Sequence, residues 1–140
     1  MILIDTNVFS EIMNPNVDHA VQEWLSETLK DDLFLCSITI AEISSGIEKL
    51  PDGSKKELLK DRFNQLIENF DDRILVFGEV PARAYGQIMA MRKRNGRPME
   101  KFDCMIASIA VTNNLDLATR NVKDFDLVPN LKVINPWSPT

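Results

Sequence analysis

Short apolar runs that alternate with longer segments of helical period constrain this chain more than any other feature of its sequence. Ile2–Ile4, Leu33–Ser37, Ile74–Val76, Leu115–Ala118 and Leu131–Ile134 read as strands. Between them, Asp18–Leu29, Ala41–Leu50, Ser54–Phe70, Val80–Lys93 and Lys101–Asn113 read as helices. Within Lys56–Phe70, Leu58, Leu59, Phe63, Leu66, Ile67 and Phe70 recur at three- and four-residue steps, which makes one apolar face. Strands separated by helices need crossover connections, so the pattern predicts an α/β fold whose parallel sheet is covered on both faces. Turn signals at Asn14-Pro15-Asn16, Pro51-Asp52-Gly53, Asn95-Gly96-Arg97-Pro98 and Pro129-Asn130 punctuate the elements. With no linker, repeat or low-complexity stretch, one domain is expected over residues 1–140.

Composition narrows the function by exclusion. A net charge of -5 argues against a protein that coats nucleic acid nonspecifically, although a locally acidic nuclease site with a small basic patch fits it. Ile2–Ile4 is too short for a signal peptide, and no run approaches the roughly 18 apolar residues of a membrane span. Cys36 and Cys104 match no metal or redox spacing and are expected as reduced core thiols of a cytoplasmic protein. The single histidine, His19, excludes His-rich metal sites and is expected to be solvated near a helix start.

Four acids follow the strands. Asp5 stands directly after the first; Glu42 follows the second, a few residues on in "LFLCSITIAEI". Asp103 opens a strongly apolar helix in "RPMEKFDCMIASIAV", and Asp124 follows the fourth strand in "LATRNVKDFD". In an open parallel sheet ligands bind beyond the carboxyl ends of the strands, where all four are expected to fall. Taken singly, each acid has a plainer reading: acids suit the first turn of a helix, and Thr39-x-x-Glu42 fits a capping box. Taken together, carboxylates in a water-poor crevice repel one another, and a hard divalent cation resolves that conflict. An oxygen-rich Mg²⁺ or Mn²⁺ site is therefore expected.

The segments "ILIDTNVFSE", "SITIAEISSGI", "RPMEKFDCMIASIA" and "LATRNVKDFD…INPW", in this order from Ile2 to Trp137, resemble PIN-domain ribonucleases, in particular VapC- and FitB-type toxins of toxin–antitoxin pairs. The resemblance implies a three-layer α/β/α sandwich around a central parallel sheet of about five strands. It further implies Mg²⁺- or Mn²⁺-dependent cleavage of RNA, a homodimer, and inhibition by a small DNA-binding antitoxin. The family's acidic cluster falls on Asp5, Glu42 and Asp103. Its fourth acid stands in many PIN domains where this chain has Asn121, with Asp124 the other candidate.

On this reading Asp5 and Asp103 hold most of the ion, and Glu42 acts through a bound water or as the base that takes its proton. Thr6, Asn7 and Thr119 are candidate donors that orient the carboxylates, or ordinary turn and cap residues. The basic stretch "RKRNGRPMEK" offers Arg92, Arg94, Arg97 and Lys101 for phosphate contact beside Asp103, or a solvated helix end. A haloacid-dehalogenase-type phosphatase would need an acid two residues after Asp5, where Asn7 stands. The remaining alternative is a degenerate PIN or receiver-like module that acts through partner contact.

Overall fold

The computed structural model describes residues 1–139. Its elements are β1 (Ile2–Ile4), α1 (Thr6–Met13), α2 (His19–Glu27), β2 (Leu33–Cys36), α3 (Ser37–Glu48), α4 (Ser54–Asn69), β3 (Ile74–Leu75), α5 (Glu79–Arg94), α6 (Lys101–Thr112), β4 (Asp116–Ala118), α7 (Val122–Phe125) and β5 (Val133–Ile134), with a 3₁₀ turn at Lys30–Asp32. The five strands form one sheet in the order β3-β2-β1-β4-β5, and every pairing is parallel. Strand order reverses between β1 and β4, which is where such sheets open a crevice at their carboxyl edge.

Why both faces are covered can be read residue by residue. Successive strand side chains point to opposite faces. Leu3, Phe34, Cys36, Leu75, Leu117 and Val133 all join one core, with Ile88, Met99 and the buried face of α6. Their neighbours Ile4, Leu33, Leu35, Ile74, Ala118 and Ile134 join the other, with Val8, Phe9, Trp24, Ile47 and Phe63. The result is the α/β/α sandwich expected from the sequence. On the second side Phe9 meets Phe63 edge to face, ring centroids 6.0 Å apart; truncating such a buried phenylalanine costs about 3–5 kcal/mol.

Helix α6 is buried along Cys104 and Ile106–Ala110, and its small Ala107, Ser108 and Ala110 let it press close to the sheet and α5. The turn before it is set by Gly96, whose φ of 73° favours a residue without a side chain. The Gly96 and Arg97 amides close back onto the carbonyls of Lys93 and Arg92, a Schellman ending that turns the chain toward Asp103.

Three local readings are corrected. The second strand stops at Cys36 and α3 begins at Ser37, so Thr39 lies inside the helix and there is no Thr39–Glu42 capping box. The β-branched "SITI" made that stretch look extended, but Cys36 itself is the extended cap. Helix α1 follows Asp5 at once and α7 follows Asn121, two short helices that the apolar pattern does not announce. His19 is exposed at the start of α2, and Cys36 and Cys104 are buried free thiols, as expected. Among the described residues no helix is long and apolar enough to cross a membrane.

Candidate active site

Register alone brings Asp5 to its neighbours. Ile4 pairs with Ala118, so the next residues, Asp5 and Thr119, leave the sheet side by side, and the Asp5 amide donates to the Ala118 carbonyl at 2.9 Å. Asp5 then serves as the cap of α1: its Oδ1 accepts the Thr6 amide at 2.8 Å. Its Oδ2 accepts the Thr119 hydroxyl at 2.7 Å and the Asn7 side-chain amide at 3.3 Å. Asp5 is only 3% exposed. Burial pushes its carboxyl up, the bonds from Thr119 and Thr6 hold it back, and the charges of Glu42 and Asp124 push it further up, so that the net direction is upward.

Glu42 reaches the same crevice from α3. The Thr6 hydroxyl donates to Glu42 Oε1 at 2.7 Å and lies 3.1 Å from the Thr39 hydroxyl. A hydroxyl has one proton to give, so with Thr6 donating to Glu42, Thr39 is the donor to Thr6. The Cys36 thiol in turn donates to Thr39, 3.8 Å away. Thr39 is fully buried. A directed chain from Cys36 through Thr39 and Thr6 thus fixes the Glu42 carboxylate, and Thr39 belongs to the site although the sequence marked it only as a cap.

Asp103 occupies the first turn of α6, where Glu100 caps the helix by accepting the Asp103 amide at 3.0 Å. A helix N-terminus ordinarily favours a carboxylate. Here the carboxyl is nevertheless pushed up to about 7, by burial first and then by Asp5, Glu100, Asp124 and Glu42. Glu100 went unremarked in the sequence, although its place three residues before Asp103 marks a cap. Asp124, exposed in α7, bears on both Asp5 and Asp103 through its charge. Asn121 is also exposed; its backbone amide donates to Thr119 at 3.1 Å, and its side chain makes no hydrogen bond among the described residues. Asn7 ties the corner together: its amide also donates to Thr119 at 3.3 Å, and its oxygen accepts the Arg120 amide at 3.2 Å.

The basic stretch divides. Arg92 is 3% exposed, which removes it from the surface expected for phosphate contact. Its guanidinium donates to the carbonyls of Arg97 at 2.8 Å, Asp124 at 3.0 Å and Asp126 at 3.1 Å. Those carbonyls cluster about α7 and the turn after α5, and a buried arginine with fixed donors is suited to clamp them. Arg97 is also occupied, pairing with Asp126 at 3.1 Å and donating to the Lys123 carbonyl at 3.0 Å. Arg94 and Lys101 remain exposed. Arg94 borders a groove with Gln87, Met91 and Val111, so its side chain stands on the flank of α5.

The PIN domain model matches residues 2–131. Toxin FitB of Neisseria gonorrhoeae is 38% identical, with 98% of this chain and 99% of that protein covered. A VapC ribonuclease of Sinorhizobium fredii is 34% identical, with 99% of each covered. The solved structure of FitAB bound to a DNA fragment superposes with a TM-score of 0.92 at 36% identity, over 100% of this chain and 98% of that one. The chain belongs to the PIN-domain family. Of the two relatives, one is named a toxin and the other a ribonuclease.

Proposed function

We propose that this chain is the toxin of a toxin–antitoxin pair, an endoribonuclease that hydrolyses RNA phosphodiester bonds with the help of Mg²⁺ or Mn²⁺. The observation that carries the reading is the placement of Asp5, Glu42, Asp103 and Asp124 about the reversal point of the sheet, where the other three acids push the Asp103 carboxyl up. The donor set suits a hard cation, since it offers carboxylate oxygens and no sulfur or imidazole. Asp5 has spent three of its roughly four acceptor directions and keeps one on Oδ1. Among the described residues no three such side chains are gathered tightly enough to enclose an ion unaided. Mg²⁺ binds through one or two carboxylates and completes its shell with water and phosphate oxygens.

Asp5 and Asp103 would hold the ion, with Asp124 rather than Asn121 as the fourth acid. When bound, the ion polarises the scissile phosphate and acidifies water. Glu42, its carboxylate aimed by Thr6, receives the proton of the attacking water. Thr119 and Asn7 keep Asp5 from turning away. Lys101 and Arg94 supply outer contacts to the RNA backbone. An apolar groove of about 370 Å³, bounded by Met13, Ile43, Ile47 and Leu59, has Glu42 at its edge. An antitoxin segment seated there would lie against the base and silence it. A homodimer completes the reading.

Cleavage of a mixed RNA substrate by the purified protein, with Mg²⁺, Mn²⁺ or excess EDTA, tests the proposal. Activity that needs the ion and vanishes in folded Asp103→Asn supports it. Equal trace cleavage by both proteins would leave the fold serving as a binding module.

A further inference from the structure

Beside the carboxylates lies a second, differently furnished cavity of about 240 Å³, lined by Asn7, Ser10, Glu11, Asn14, Arg120 and Trp137. We propose that it is a nucleobase subsite, which takes the base of a nucleotide next to the scissile phosphate and favours guanine. The inference rests on the ribonuclease reading and adds to it the residues that choose where the strand is cut.

Three features of the cavity point to a base. The Arg120 guanidinium lies 4.9 Å from the centroid of the Trp137 ring. It makes no ion pair or side-chain hydrogen bond among the described residues, so a ring rather than an acid holds it in place. Trp137 is itself anchored: it packs against the core that includes Ile4 and Phe9, and its amide donates to the Asn135 side chain at 2.9 Å. Arg120 is exposed, so the outer face of its guanidinium is open. A planar cation on an aromatic base plate is a platform on which a nucleobase stacks, and bases are bound on arginine planes in this way.

The cavity edge is an acceptor. Glu11 lines it, and its only side-chain partner among the described residues is the Asn14 amide at a long 3.5 Å. An ionised carboxylate only accepts, and guanine presents two adjacent N–H donors on one edge, which a carboxylate can take side by side. A phosphate group would be repelled by Glu11, so the acid argues for a base rather than another backbone contact.

The cavity is also coupled to the chemistry. Asn7 donates to Asp5 and Thr119 through its amide nitrogen and accepts the Arg120 backbone amide through its oxygen. One side chain therefore sets both the orientation of the buried carboxylate and the position of the stacking platform. A base seated on Arg120 would bring its own phosphate toward Asp5.

The test is binding of short, labelled single-stranded oligoribonucleotides to the full-length protein in EDTA, where turnover is suppressed. The central nucleotide is guanosine, uridine or abasic. Guanosine is expected to bind about ten-fold more tightly than the abasic strand, as loss of one stacked base implies. Arg120→Ala should abolish the difference between base and abasic strands, whereas Glu11→Gln should keep stacking and lose the preference for guanine over uracil. Arg120 is exposed and Glu11 half-buried, and thermal melting confirms folding. Equal affinity of the wild type for guanosine and abasic strands overturns the subsite, even with metal-dependent cleavage intact. Base preference without any cleavage would overturn the ribonuclease reading instead.

Discussion

Asp5 and Asp103 are both lifted above the usual carboxylate range by burial, yet they are furnished in opposite ways. Asp5, at the strand end, accepts three hydrogen bonds from Thr6, Asn7 and Thr119. The Asp103 carboxylate, at the head of α6, receives none among the described residues and faces Asp5, Glu100, Asp124 and Glu42. The fold thus completes one half of the site itself and leaves the other half with an unbalanced charge. Such a division is what a site built around an exchangeable cation requires: one ligand fixed in advance, another whose charge is neutralised on binding.

The sharpest break of that comparison is to neutralise each acid in turn. Asp5→Asn and Asp103→Asn should each lower RNA cleavage by about 10²-fold or more, since each removes an ion ligand. Stability should separate them. Asp5→Asn loses an acceptor for buried donors and should cost about 1–3 kcal/mol, whereas Asp103→Asn relieves repulsion and should leave the melting temperature unchanged or raised. Denaturant unfolding of the metal-free proteins reads this directly; equal losses would erase the distinction between the two halves.

Next in size is Arg92→Met, which strips donors from the carbonyls of Arg97, Asp124 and Asp126. A loss of about 2–4 kcal/mol on urea unfolding is expected. A neutral result would mean that the α7 corner, and with it Asp124, is held by something else.

Thr39→Val tests whether Glu42 is positioned as Asp5 is. It should lower kcat by about ten-fold with little change in KM, and Thr39→Ser should restore it. Loss of activity in step with loss of folding would make Thr39 merely structural. The smallest effect is expected for Arg94→Glu, a few-fold weaker RNA binding at low salt that fades as salt is added.

How much of this was legible in the sequence depended on whether an element declared itself locally. The strands and the long helices did, because burial on both faces leaves an unbroken apolar run and burial on one face leaves a helical period. Helix α1 did not: it is only eight residues long and follows Ile2–Ile4 with no turn between, so the boundary rests on Asp5 capping rather than on periodicity. The acids after the strands could be listed from spacing, but their furnishing could not. That Asp5 meets Thr119 is a matter of register across 114 residues, and that Thr6 aims Glu42 is a contact across 36. Arg92 misled for a related reason. Its neighbours Arg94 and Lys101 are solvated, and only packing of α5 against α6 and the α7 corner turns Arg92 inward.

The most direct test of the central claim is thermal unfolding of wild type and Asp103→Asn from pH 4 to pH 8, in EDTA and in Mn²⁺. The Asp103 carboxyl is pushed up to about 7 in the folded chain from its ordinary 3.8, so the folded state holds the proton more tightly. Its contribution to stability is complete below about pH 4 and is lost as the pH rises toward 7. In EDTA the wild type should therefore fall relative to Asp103→Asn across that window, by on the order of 1–2 kcal/mol once the partial exposure of the group is allowed for. Mn²⁺ should restore the wild type increasingly as the pH rises, and should do far less for the variant. Parallel curves for the two proteins, with no response to Mn²⁺ above pH 7, would contradict the account.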